Sequence, residues 1–158
     1  MADEKIIEQA KQVYKTLCAA IEKREWHYDK EEENLLVHFG VSGDDIPMQF
    51  ILVIDAERQL VRLLSSMPYK MSEDKRIEGA VATCVASFGM ADGNFDYDLS
   101  DGSIVFRMTA SFRDSLIGEG LFQYMISCAC AVVDKYNDQF LAISKGLLSI
   151  ADFIESES

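Results

Sequence analysis

At 158 residues with 49% hydrophobic content, the chain is long enough to bury about 70% of its unfolded surface around one core, so it needs neither disulfide nor metal to hold it. Its formal charge of −12 and its scattered Lys and Arg exclude nucleic acid and anionic membranes as expected partners. Four cysteines (Cys18, Cys84, Cys128 and Cys130) without Cys-x-x-Cys spacing, and an N-terminus without a basic-then-apolar leader, make the cytoplasm the expected compartment.

From Asp3 to Glu25 the apolar residues Ile6, Ile7, Ala10, Val13, Tyr14, Leu17, Cys18 and Ile21 keep the three-four spacing of an amphipathic helix. Trp26 and Tyr28 follow as core anchors. Leu35 to Val41 alternates, with Leu35, Val37, Phe39 and Val41 on one face. Gln49 to Asp55 is apolar on both faces and reads as a central strand, and Gln59 to Met67 as a third strand in an antiparallel meander.

Ser72 is the expected N-cap of a helix that Gly89 stops after Phe88. Its apolar stripe is Ile77, Ala80, Val81, Cys84, Val85 and Phe88, which predicts that this side faces the core. The other side holds Gly79, Ala82, Thr83 and Ala86, which are small rather than charged. A solvated face would carry Lys or Glu there, so these four are the expected contact with a second copy of the chain.

The stretch Asn94-Phe95-Asp96-Tyr97-Asp98-Leu99-Ser100-Asp101-Gly102-Ser103-Ile104-Val105-Phe106-Arg107 reads as a β-hairpin. With Asp101-Gly102 as a two-residue turn, Leu99 pairs with Ile104, Tyr97 with Phe106 and Phe95 with Met108. The other face then sets Asp96 opposite Arg107 and Asp98 opposite Val105. Leu121 to about Ser144 is the next expected helix, with a bend near Asn137. Gly146 stops it, and Ser149 to Glu155 adds a final turn or two.

Patterns that invite a chemical reading fail on their own requirements. Asp92, Asn94 and Asp96 have alternate oxygen spacing, but an EF-hand loop needs Gly and Glu where Tyr97 and Ser103 stand. Asp96 and Asp98 share one side of a strand, yet the facing Arg107 works against the raised pKa that an acid catalyst needs. Gly118-Glu119-Gly120 precedes a helix, but it lacks a third glycine and offers a carboxylate to a pyrophosphate. Two histidines, His27 and His38, cannot make a three-histidine metal site. Cys128 and Cys130 diverge around a helix, and Cys84 has no histidine near it in sequence. No catalytic, cofactor-binding or metal-binding residues are therefore assigned.

The element order helix, three strands, helix, two strands, helix resembles the YbjN-like family, which shares the type III secretion chaperone-like fold. The stretch Gly93 to Arg107 carries most of the likeness, through its aromatic-rich strand, acidic-Gly turn and closing Phe-Arg. Asp134-Lys135-Tyr136, Gly146 and a short closing helix are similar to the family's C-terminus. The resemblance spans nearly the whole chain and implies a small acidic dimer in the manner of the secretion chaperones, without catalytic residues.

The expectation is one α+β domain over residues 1–158, with a five-stranded antiparallel sheet and helices mainly on one face, in the order α-β-β-β-α-β-β-α. Its expected role is a non-enzymatic protein-binding or chaperone-like module, homodimeric through Gly79, Ala82, Thr83 and Ala86. The runner-up is a small-molecule sensor with an apolar pocket between helices and sheet.

Overall fold

A computed structural model describes residues 3 to 158. In chain order the elements are α1 (Glu4–Glu22), β1 (Asp29–Glu31), β2 (Leu36–Val41), β3 (Met48–Asp55), β4 (Leu60–Lys70), α2 (Arg76–Phe88), β5 (Gly93–Asp98), β6 (Ser103–Ser111), α3 (Glu119–Ser144) and α4 (Ile150–Ser156). The class is α+β. The sheet has six strands rather than the expected five, all antiparallel, in the order β1-β2-β3-β4-β6-β5. The additional strand is Asp29-Lys30-Glu31, whose side chains are exposed and which pairs through its backbone with β2. Such a strand has no apolar period, so alternation cannot reveal it. Its charges also blunt the sheet edge against further pairing.

Buried strand residues fall on a single face, as cross-strand neighbours. Phe39 opposes Phe50, Leu52 lies between Val37 and Leu63, and Leu63 opposes Met108. The helices cover this face. α1 buries Ala10, Val13, Tyr14, Leu17 and Ile21 and docks on α3, where Gln123 donates to the Ala20 carbonyl at 2.7 Å. α3 runs unbroken through Asn137. Phe95, Phe106, Tyr136, Phe140 and Phe153 form one aromatic cluster, with Phe95 and Phe140 ring centres 5.0 Å apart, which ties β5, β6, α3 and α4 together.

The hairpin register differs from the expected one by two residues. Phe95 opposes Phe106, Tyr97 opposes Ile104 and Gly93 opposes Met108. The connection is a four-residue loop, Leu99 to Gly102, closed by Gly102 N–H to the Asp98 carbonyl at 2.8 Å. Asp98 and Asp101 shape it by accepting from the backbone N–H of Ser100 and Ser103. Gly102 has φ +79°, and a side chain there would stand 2.5 Å from the Met71 carbonyl oxygen. The loop is thereby seated on the end of β4, where Met71 N–H donates to the Gly102 carbonyl. A shift of two preserves which side chains share a face, so Phe95, Tyr97, Ile104, Phe106 and Met108 stay together, while Leu99 leaves the ladder for the loop and is exposed.

Ser72 does not cap α2 through its side chain. A short 3-10 turn, Glu73–Lys75, precedes the helix, and the Ser72 hydroxyl donates instead to the Ser144 carbonyl at the end of α3. α2 is also rotated relative to expectation. Gly79, Ala82, Thr83 and Ala86 are its buried residues, inside the protomer, so they are not available to a second copy of the chain. The physical reason is proximity: a Cβ on Gly79 would stand 2.6 Å from the Tyr97 hydroxyl and 2.7 Å from Met71 Cγ. The Tyr97 ring is held in place by its own hydrogen bond to the Arg76 carbonyl at 2.8 Å.

This orientation predicts that Gly79→Val destabilises the fold by at least about 2 kcal/mol through overpacking. Ile77→Ala, on the outward side, should change stability by no more than about 0.5 kcal/mol. Urea unfolding of the two variants checks both, and a reversed order would contradict the placement of α2.

Candidate functional site

Turning the small side of α2 inward sends its large apolar residues outward. Ile77, Val81, Cys84 and Phe88 form a ridge along the exposed side, with Ile77 at 67% and Phe88 at 94% of full exposure. Their spacing of four, three and four residues keeps them in line along about three turns, the pattern of a seam against another helix. Leu99, from the hairpin loop, stands beside the ridge. The signal for this surface in the sequence is the run from Gly79 to Ala91, which holds no charged residue although 27% of the chain is charged.

Beside the ridge lies an open groove of about 620 Å³. The buried residues Phe106 and Tyr136 are part of its lining. Val85 and Phe88 of α2, Cys128 and Val132 of α3, and Ile154 of α4 form its apolar walls. The polar rim is Asp92, Lys135 and Glu157. The Tyr124 hydroxyl donates to Asp92, which raises the phenol pKa. Lys135 Nζ donates to the Tyr136 hydroxyl at 3.1 Å and lies 3.7 Å from Glu157. Burial, and then the hydrogen bond to Glu157, push the Tyr136 phenol above its ordinary value. The Cys128 thiol is also pushed up, first by burial and then by Asp92, so it is held as the neutral thiol rather than as a nucleophilic thiolate.

The residues that drew attention in the sequence are dispersed. The Thr83 hydroxyl is spent within its own helix on the carbonyls of Gly79 and Ala80. Cys128 faces the groove, whereas Cys130 lies closer to Arg24 and Asp134 and does not line it. Glu119 at the start of α3 pairs with Lys23. His27 is exposed, and His38 lies on the open sheet face with Nδ1 3.7 Å from Asp29. Among the described residues, no group of three or more His, Cys, Asp or Glu is arranged to hold a metal ion. No helix among them is long and apolar enough to cross a membrane.

The open sheet face answers its own charges. Arg107 donates to both carboxylate oxygens of Asp96, at 2.8 Å from Nε and 3.1 Å from Nη2, and Arg62 lies 3.3 Å from Asp55. Asp96 thus meets Arg107 on the diagonal, while Val105 sits directly opposite. The Arg107 hydrogen bonds hold the Asp96 carboxyl below the usual range, against partial burial and with help from Asn94. Compared with known proteins, the chain matches no protein-family model and no curated relative.

The depressed Asp96 pKa fixes a sign for acid sensitivity. Its contribution is present above the unfolded aspartate value of ~3.9 and is lost as pH falls through the folded value. Because the pair is about half exposed, Asp96→Asn should cost only about 0.5–1 kcal/mol at neutral pH. Denaturation midpoints should therefore differ at neutral pH and converge in acid below ~3.9; a constant offset would contradict this.

Proposed function

We propose that this chain is a non-enzymatic protein-binding module that presents the α2 ridge and the adjoining groove to another polypeptide. The observation that carries the reading is Phe88, a phenylalanine at 94% exposure on a regular helix, continuous with an apolar ridge and an apolar groove. Contiguous apolar surface of this kind marks interaction sites on soluble proteins, and aromatic side chains on a fixed element are the usual anchors of such contacts. The YbjN-like resemblance, which implies no catalytic residues, is in keeping with a non-enzymatic role. A second reading draws on the groove volume of about 620 Å³, which lies within the range of small-molecule pockets; concentration-dependent thermal stabilisation by a metabolite would favour it.

The protein-binding reading predicts that Phe88→Asp abolishes recovery of a stoichiometric polypeptide partner by the tagged protein. Leu147→Asp, at another highly exposed apolar position (79%), should leave recovery intact. Both variants should keep the wild-type melting temperature within about 2 °C, because neither side chain supports the core. Equal recovery by all three proteins would overturn the assignment of this face.

A further inference from the structure

We propose that the ridge and groove take an amphipathic helix of a partner protein that carries basic residues along the margins of its apolar face, rather than a second copy of this chain. The inference rests on the protein-binding reading above and names the partner's chemistry. The helical form follows from the ridge: Ile77, Val81, Cys84 and Phe88 repeat at the spacing that meshes with a facing helix.

The charge follows from both ends of the ridge. At its C-terminal end Asp92 and Glu157 flank the groove, opposed by Lys135 alone. Lys135 and Glu157, 3.7 Å apart, offset one another, and Lys135 also donates to the Tyr136 hydroxyl, so Asp92 is the carboxylate at this end that no cation among the described residues answers. Asp92 has a neutral phenol as its partner and, among the described residues, forms no ion pair. The C-termini of α2 and α4 both end at this groove without a basic residue in their last turns, so their carbonyl ends add to the negative potential. At the N-terminal end Glu73, Asp74 and Glu78 outnumber Lys75 and Arg76. The Arg76 guanidinium donates to the Ser100 carbonyl at 2.9 Å and keeps its positive charge, so the excess of acid at this end is one residue.

An apolar strip with acidic ends accepts a helix whose apolar face is bordered by Lys or Arg. The same arrangement disfavours self-association. A twofold pairing over this patch sets an acidic end of one ridge against an acidic end of the other, between chains that each carry a formal charge of −12.

The test is a titration of the isotopically labelled full chain with three synthetic helical peptides of about 18 residues. They share one leucine pattern and differ in having Lys, Gln or Glu at the polar positions, and backbone amide shifts are followed by NMR. The Leu/Lys peptide should shift amides of Cys84 to Gly93, Val132 to Tyr136 and Glu157. It should bind about tenfold or more tightly than the Leu/Gln peptide at low salt. Phe88→Ser should weaken it about tenfold. Asp92→Asn combined with Glu157→Gln should remove most of the preference for Lys over Gln while leaving the Leu/Gln peptide bound.

Equal binding of the Lys and Gln peptides in the groove would overturn the basic partner and leave the protein-binding reading standing. Shifts spread over the acidic surface and insensitive to Phe88→Ser would likewise overturn the inference. A wild-type dimer in sedimentation that Phe88→Ser converts to monomer would reassign the surface to a second copy. Absence of groove shifts with every peptide would overturn both the inference and the reading beneath it.

Discussion

The close approach of α2 to the rest of the fold is the constraint from which the other features follow. Gly79, Ala82, Thr83 and Ala86 give the helix a face with almost no depth, so its backbone reaches the Tyr97 ring and Met71. Larger residues on that side would hold the helix away from β5. Two further contacts depend on this proximity. The Ser87 hydroxyl accepts from the Phe95 N–H at 2.9 Å, engaging a backbone donor of the sheet's edge strand. Tyr97 reaches back to the first residue of α2, at the Arg76 carbonyl. The helix thereby substitutes, in part, for the neighbouring strand that β5 lacks.

A helix inserted by its small face must show its large one. Burying a Phe side chain is worth about 1.5–3 kcal/mol, and Phe88 leaves that stabilisation unrealised within the protomer. The aromatic cluster of Phe95, Phe106, Tyr136, Phe140 and Phe153 supplies core packing in the same region without it. The ridge is therefore free to be apolar for a reason outside the fold. The acidic charge of the chain sets which approaching charges are attracted.

Features governed by period were legible in the sequence, whereas those governed by depth or by backbone alone were not. The three-four spacing of α1 and the alternation of β2 gave the correct elements because large apolar residues there do face the core. The continuous apolar run of β3 marked a strand, but not that only one of its faces is buried. In α2 the same rule chose the wrong side, since side-chain size ranks Ile77 and Phe88 above Gly79 and Ala82. What decides is how near the helix must come to Tyr97. The hairpin kept its facing set apart from Leu99 but not its partners, because Asp98 and Asp101 build a four-residue loop where Asp-Gly alone suggests a two-residue turn. β1 left no trace, since Asp29, Lys30 and Glu31 contribute backbone pairing and no apolar side chains. The groove was equally illegible, as Phe88, Val132 and Ile154 come from three separate helices.

The most direct measurement of the account is the native-state reactivity of single thiols toward a small alkylating reagent, at protein concentrations low enough to exclude association. Two variants are compared, each without the other native cysteines: one retaining Cys84, and one carrying Ala82→Cys in a cysteine-free background. If the small face of α2 is inserted and the ridge displayed, the thiol at position 84 reacts at nearly the rate of a free peptide thiol. The thiol at position 82 should react only through unfolding. Protection at position 84 with rapid labelling at position 82 would place the ridge in the core, and would contradict both the fold of α2 and the binding face built on it.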